Sequence, residues 1–112
     1  MRFTISVFKR IEKLLLINVL GVLEALKNKK ITINESETMI FTPYTFITLK
    51  KRGVDKKIID IIQEGCELED VESLCPDKLD DTIEKLRQRT LTLLDEYEED
   101  NKQRWVQIDD ER

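Results

Sequence analysis

The chain has 112 residues, 40% of them apolar and 38% charged, with a formal net charge of −4. This length suits one domain with one hydrophobic core. Three glycines and two prolines are too few for the many tight turns of a β-sandwich or barrel. The composition therefore argues against an all-β fold and favours helices.

The charges are divided between the two halves of the chain. Residues 1–57 hold twelve Lys and Arg against five Asp and Glu, a net of +7. Residues 58–112 hold seven against eighteen, a net of −11. Such asymmetry indicates either a charged partner or attraction between the two halves themselves.

The residue types that build most enzyme and metal sites are missing or isolated. Histidine is absent, and Cys66 and Cys75 lack the CxxC spacing of zinc sites. A nucleophilic cysteine would have no histidine base, and there is no Asp-x-Asp-x-Asp-Gly loop for a hard cation. We therefore expect a non-enzymatic protein with no cofactor and no metal. Two free thiols in a reducing cytoplasm are expected, with one disulfide in a secreted protein as the alternative.

The first helix is predicted from about Thr4 to Asn28. Polar residues recur along one line of a 3.6-residue period, and the remaining circumference is apolar, which is typical of a central, buried helix. The uncharged run Leu14–Leu23 is too short to span a bilayer, and no Ala-x-Ala cleavage site follows it. A buried helix is expected rather than a signal peptide, and Gly21 within it predicts a close helix crossing.

Short helices are predicted next. Asn34 fits an N-cap with Glu37 at the N3 position, which opens a helix of two turns. Thr42-Pro43 begins another helix, since Thr caps well and Pro suits the first helical position. That helix is expected to run to about Arg52 and to stop at Gly53.

Two further short elements follow. Asp55 is expected to cap a helix that ends near Gly65. Residues 67–74 indicate a turn or a short helix, with an inward-facing set of apolar side chains at a spacing of three: Leu68, Val71 and Leu74.

A second long helix is predicted from Pro76 to about Asp100. Its apolar seam has spacings of 4, 3, 4, 3 and 4 and consists of Leu79, Ile83, Leu86, Thr90, Leu93 and Tyr97. The predicted fold is a compact, mainly α single-domain bundle over residues 1–100, with two long helices and three or four short ones. Residues 101–112 form a C-terminal tail, either loose or with 104–108 pairing as a strand with 31–33.

Two acidic clusters are candidate partner-binding sites, because an acidic surface steers a basic partner and gives specificity. The first is expected to point outward from the 67–74 element. The second closes the last helix at the negative end of its dipole, so helix stability does not explain it. Trp105, an apolar residue in a polar tail, either docks on its own core or anchors an interface. The candidates are Glu69, Asp70, Glu72, Asp95, Glu96, Glu98, Glu99, Asp100 and Trp105.

Basic residues gather in three clusters: Lys27-Lys29-Lys30, Lys50-Lys51-Arg52 and Lys56-Lys57. Each cluster lies near a predicted helix end, where cations are favoured. Few aromatic residues accompany them, so nucleic-acid binding is a weaker hypothesis than protein binding.

The runs Phe41-Thr42-Pro43-Tyr44 and Glu67–Pro76, together with the Gly53 stop between them, resemble a family of small uncharacterised bacterial proteins. The resemblance covers most of the chain. It implies a compact helical domain in the bacterial cytoplasm, and it supplies no catalytic residues because the family has no assigned activity.

The leading hypothesis is a cytoplasmic, non-enzymatic protein-binding module of the immunity or adaptor kind, which binds a basic protein through its acidic C-terminal half and not a membrane. The alternative is a self-associating structural protein. In that hypothesis a homodimer forms when one seam of the last helix pairs across a two-fold axis, through Leu79, Ile83, Leu86 and Leu93.

Overall fold

The computed structural model describes residues 5–97 and 99, with only the backbone of Ile5 and Ser6. Within that part the chain forms α1 (Ile5–Lys27), α2 (Ile33–Met39), α3 (Pro43–Lys51), α4 (Lys56–Gly65), α5 (Leu68–Leu74), a 3-10 turn (Pro76–Lys78) and α6 (Leu79–Leu94). The predicted helical class is confirmed. None of the helices in these residues combines the length and the apolarity that crossing a bilayer requires.

The core lies between the two longest helices, α1 and α6, and is closed by α4. All three contribute fully buried aliphatic side chains, because each carries apolar residues at helical spacing on one side. The buried set includes Leu16, Val19, Leu23, Ile58, Ile62, Ile83 and Leu86. Most of the predicted α6 seam is therefore occupied within one chain: Ile83, Leu86 and Leu93 are buried, and Leu79 is half-buried.

The first helix is buried on one side only, which corrects the expectation of a fully enclosed helix. Leu16, Val19 and Leu23 are fully buried, whereas Ile11, Leu14 and Ile17 are exposed to solvent. The helices that contact α1 most closely, α6, α2 and α4, leave this second apolar side uncovered. The apolar circumference of α1 thus exceeds what the other described helices cover.

The described helices make no close crossing at Gly21, where the sequence predicted one. A Cβ built at Gly21 would meet no atom of the described residues within 4 Å. The close approach occurs at Gly65 instead, where a Cβ would overlap the aromatic ring of the buried Phe41. Gly65 therefore lets Phe41 pack directly against the backbone of α4.

The capping box of α2 lies two residues earlier than predicted. Thr32 is the N-cap: its Oγ1 accepts from the backbone N–H of Glu35 at 3.0 Å, and the Glu35 carboxylate accepts from the Thr32 N–H at 3.0 Å. Starting the helix here buries Ile33 and Ser36. Because Ile33 is the first residue of α2, a strand over 31–33 is not supported, and its predicted partner 104–108 lies outside the described residues.

The other local signals in the middle of the chain are confirmed. Thr42 caps α3 with Pro43 at its first position, and Asp55 caps α4 through the N–H of Lys57 at 2.8 Å. Gly53 has a φ of 80°, in the left-handed region that favours glycine, where the chain leaves α3. These turns fix the order of the short helices around the core.

Two predictions near α5 and α6 are wrong. Leu74 is exposed, because each step of three residues turns a helix back by 60° and so places Leu74 about 120° from the buried Leu68. The last helix ends at Leu94 rather than near residue 100. Carboxylates crowd the negative end of its dipole from Asp95 onward, which disfavours further turns. The predicted C-terminal tail, residues 101–112, lies outside the described residues.

Candidate functional site

The first acidic cluster lies where α5 packs beside α2. Glu69, Asp70 and Glu72 are exposed on α5, as the sequence predicted. Glu37 of α2 joins them at hydrogen-bonding distance of Glu69. We call these four residues the acidic surface; they come from two helices that are distant in sequence but packed together in the fold.

The four carboxylates of the acidic surface are like charges that the fold holds close together. The pKa of Glu37 is raised, first by partial burial and then by the negative charges of Glu69, Asp70 and Glu72. No ion pair to any of the four carboxylates is found within residues 5–97 and 99. The folded chain thus maintains a local negative field that its own described residues do not neutralise.

An open groove adjoins the acidic surface at Glu72. Its rim carries charged side chains of both signs, including Lys30 and Glu35, and its volume is about 330 Å³. Apolar residues of the core form its floor: Leu26, Ile33, Leu79 and Ile83. A partner could therefore place an apolar side chain here beside its basic groups.

The second acidic cluster is less uniform than the sequence suggested. Asp95 is the C-cap of α6, and Glu96 lies 3.4 Å from the ammonium of Lys57. Glu99 is exposed. Three of the predicted partner-binding residues lie outside the described residues: Glu98, Asp100 and Trp105. The structure thus leaves Asp95 and Glu99 as exposed acids, but pairs Glu96 within the chain.

Ion pairs between α1 and α6 use part of the charge of the two halves. Lys27 contacts Glu84 at 2.9 Å, and Arg87 contacts Glu24 at 2.8 Å. Lys29, just after α1, contacts Asp80 at 2.9 Å. The bond from Arg87 lowers the pKa of Glu24, and the bonds from Gln88 and then Lys27 lower the pKa of Glu84. Two of the three ion pairs join a base of the first half to an acid of the second, and the Arg87–Glu24 pair has the opposite arrangement.

The three basic clusters differ in how many of their residues form ion pairs. Lys56 pairs with Asp60 at 3.0 Å within α4, and the first cluster is largely paired with α6. The cluster Lys50-Lys51-Arg52 remains exposed, and none of the described acids forms an ion pair with it. Only a small part of the predicted basic half is thus left as a free positive surface.

Sequence analysis missed a buried polar node at Glu12, whose exposed fraction is 2%. One carboxylate oxygen accepts from the backbone N–H of Asp55 at 2.8 Å, and the other accepts from the Tyr97 hydroxyl at 3.0 Å. Lys9 lies 3.6 Å from the same carboxylate and 5.4 Å from the centre of the Tyr97 ring. The sequence feature that could have revealed this node is the position of Glu12, which precedes the buried Leu16 by one helical turn and so lies on the apolar side of α1.

The node joins three separate parts of the chain: α1, the start of α4 and the residue that follows α6. Burial and the hydrogen bond to Glu12 raise the pKa of Tyr97, so its hydroxyl stays protonated and donates at neutral pH. This arrangement supports a structural role for Glu12, which satisfies donors at the edge of the core.

The thiols are free in the structure, with Cys66 half-buried and Cys75 exposed. Burial, together with the nearby Glu37 and Glu67, raises the pKa of Cys66 to about 11. Its thiol is therefore protonated and weakly nucleophilic at neutral pH. Over the described part of the chain, no three cysteines or carboxylates are gathered so that they could hold a metal ion.

Comparison with known proteins gives one match. No curated protein and no solved structure shows a significant similarity to this chain. A family model described as "Protein of unknown function (DUF3969)" matches residues 8–107, which include every helix from α2 to α6 and most of α1. The predicted resemblance to an uncharacterised family is confirmed: the chain belongs to DUF3969, a protein family of unknown function.

Proposed function

We propose that this protein is a non-enzymatic protein-binding module of the bacterial cytoplasm, of the immunity or adaptor kind, and that its acidic surface binds a basic protein. The observation that carries the proposal is the convergence of Glu37, Glu69, Asp70 and Glu72, none of which forms an ion pair with a described base. Like charges held together at a surface cost stability, and an oppositely charged partner would offset that cost.

The contrast with the α1–α6 interface supports the choice of this surface over the other acidic residues. There each of three carboxylates has a basic partner within 3 Å. The second acidic cluster is intermediate, because Glu96 is paired with Lys57. The groove beside Glu72 adds a place for an apolar side chain, which charged surfaces alone do not offer.

The test compares two variants that remove the same number of negative charges. The surface variant carries Glu69→Gln, Asp70→Asn and Glu72→Gln, and the matched variant carries Asp95→Asn, Glu96→Gln and Glu99→Gln. Each chain is immobilised and incubated with bacterial cytosol at about 50 mM and about 300 mM salt, because screening weakens charge-driven contacts. Bound proteins are identified and quantified by mass spectrometry.

We expect a basic protein that the wild type and the matched variant retain at low salt and that the surface variant loses. Higher salt should reduce its capture, since exposed charges are screened. Equal capture by the wild type and the surface variant would contradict the proposal. If only the matched variant lost the basic protein, the binding site would lie at the end of α6 instead.

A further inference from the structure

Helix α3 carries large apolar side chains on the side that faces away from the core. Phe46 and Leu49 pack against the core from its inner side. Tyr44 and Ile47 are 76% and 47% exposed, and Lys51 follows Ile47 by one helical turn on the same outward side. Among the described helices, α4 is the one that α3 contacts most. The outward side of α3 is thus an apolar stripe that ends in a positive charge.

Three consecutive cations lie at the end of this helix: Lys50, Lys51 and Arg52. All three are exposed, and no described acid forms an ion pair with any of them. The negative end of the helix dipole favours cations there, but it does not account for the exposed Tyr44 and Ile47. We call these five residues the α3 face. Its positive charge and apolar surface together suit a partner that presents acids beside an apolar side chain.

The size of the α3 face favours a protein partner over a nucleic acid or a membrane. A protein that binds the DNA backbone typically contacts about 6–10 phosphates, whereas the α3 face offers three cations. A helix that lies on a bilayer needs a broad apolar side, and α3 has nine residues with two large exposed apolar side chains. An acidic protein surface with one apolar residue matches the face better.

The chain itself carries such a surface on α5. Asp70 belongs to the acidic surface, and Leu74 follows it by one helical turn on the same side of α5. Leu74 is 78% exposed, and no described base forms an ion pair with Asp70. This pair therefore has the same spacing as Ile47 and Lys51 of the α3 face, with the opposite charge.

The order of residues within the two pairs determines how the helices can cross. On α3 the apolar Ile47 precedes the charged Lys51, whereas on α5 the charged Asp70 precedes the apolar Leu74. An antiparallel arrangement with Lys51 opposite Asp70 places Ile47 opposite Leu74, because both pairs span four residues, or about 6 Å of helix. A parallel arrangement of the same residues would place each charge opposite an apolar side chain. The antiparallel arrangement therefore matches charge with charge and apolar surface with apolar surface.

We infer that α5 of one copy of this chain binds the α3 face of a second copy, with the two helices antiparallel. The contact is heterologous, because the two patches lie on different helices, so each copy offers one patch of each kind. The inference rests on the proposed function in one respect: it uses the acidic surface and identifies a second copy as a basic protein that this surface binds. Exposed charges make the contact sensitive to salt, and two short helices make it weak.

Sedimentation of charge-reversal variants tests the contact. At about 50 mM salt the average mass of the wild type should rise between about 10 and 300 µM protein, and about 300 mM salt should suppress that rise. Lys51→Glu and Asp70→Lys should each weaken self-association by about tenfold or more. An equimolar mixture of the two variants should associate again, because Lys51 of the Asp70→Lys chain meets Asp70 of the Lys51→Glu chain.

Lys85→Glu is the matched control, since it makes the same change of net charge at an exposed residue of α6. It should alter self-association by less than about threefold, and urea denaturation of each variant shows that it is folded. A wild type that stays monomeric at low salt, or a mixture that associates no more than its components, would overturn the inference. The proposed function fails separately: Lys51→Glu keeps the acidic surface, so its capture of another basic protein from cytosol supports that function whether or not the chain self-associates.

Disulfide trapping tests the direction of the crossing without reversing any charge. Cys66→Ser and Cys75→Ser remove the native thiols, and Ile47→Cys and Leu74→Cys are introduced on separate chains. Oxidation of the mixture should give the 47-to-74 disulfide in excess over the two symmetric ones. Ile17→Cys, at a position of α1 that is also 47% exposed, is the control and should form little disulfide with Leu74→Cys. Equal yields from positions 17 and 47 would overturn the inference.

Discussion

The closed side of the molecule, where α1 packs on α4 and α6, and its open surfaces use the same residue types in opposite ways. On the closed side, Glu24 has a basic partner and Leu16 is enclosed. On the open surfaces, Glu37 faces other carboxylates and Ile17 faces solvent. The residue type alone therefore does not decide whether a side chain stabilises the fold or remains available to a partner.

The difference lies in what the neighbouring helix supplies. The helix α6 presents a base, an acid and aliphatic residues to α1, so Glu24, Lys27 and the buried aliphatic side chains have partners within the chain. The short helix α5 presents acids to an acid of α2. The acidic surface, whose carboxylates meet other carboxylates instead of bases, is the one for which we propose a partner.

The largest effect is expected from the buried node that closes the core. Glu12→Ala removes the acceptor of the Asp55 N–H and of the Tyr97 hydroxyl. Because buried donors would be left unpaired, the free energy of unfolding should fall by about 3 kcal/mol. Urea denaturation followed by circular dichroism at 222 nm measures this loss.

Tyr97→Phe is the matched control for that substitution. It removes the hydroxyl that donates to Glu12 but leaves the Asp55 N–H bonded, so a loss of about 1 kcal/mol is expected. If Glu12→Ala cost no more than Tyr97→Phe, the carboxylate would not be holding the start of α4 against α1.

The next largest effect compares one substitution at two glycines. Gly65→Ala forces a Cβ into the ring of Phe41 and should destabilise the chain by about 1–3 kcal/mol. Gly21→Ala meets no neighbouring atom and removes a helix-interior glycine, so it should stabilise the protomer by up to about 1 kcal/mol. Both are measured by urea denaturation followed by circular dichroism at 222 nm.

Changes of opposite sign in the free energy of unfolding would show that Gly65 lies in a packed contact and that Gly21 lies on an open surface. If Gly21→Ala destabilised the chain, this side of α1 would be packed against another part of the same chain.

Local signals in the sequence predicted much of the fold. Thr42-Pro43, Gly53 and Asp55 each carry the information for a cap or a stop in a few neighbouring residues, and the structure confirms all three. The capping box of α2 was misplaced because Thr32 and Asn34 offer equivalent N-cap and N3 spacings. Burial of Ile33 decides between them, and burial is a property of the whole fold.

The candidate site was predictable only in part, for a similar reason. The outward direction of Glu69 and Asp70 follows from the burial of Leu68 on the same short helix, whereas Glu72 lies only about 40° around the helix from Leu68 and is nevertheless exposed. Glu37 joins them only because α2 packs beside α5, and no local pattern in either segment indicates that contact. The spacing of the apolar residues along α6 likewise could not show whether they pack into the core or form a dimer interface.

The smallest expected effect is also the most direct comparison of a paired acid with an unpaired one. At pH 7, Glu24→Gln should lower the urea midpoint, because it removes the acceptor of Arg87, whereas Glu37→Gln should raise it by relieving repulsion. Glu99→Gln, at an exposed acid elsewhere, should leave it unchanged. Equal shifts for all three variants would show that net charge, and not local pairing, sets the effect.

The pH dependence of these differences follows from the direction of each pKa shift. The pKa of Glu24 is lowered from 4.5, so its contribution is present above that value and is lost as the pH falls through the folded pKa. The pKa of Glu37 is raised, so its folded state is favoured below 4.5 and that advantage disappears as the pH rises through the folded pKa. Both variants should therefore converge on the wild type in acid, the first from below and the second from above. Urea midpoints measured between about pH 3 and pH 7 test this, and a Glu37→Gln advantage that persists in acid would show that repulsion among the carboxylates is not its cause.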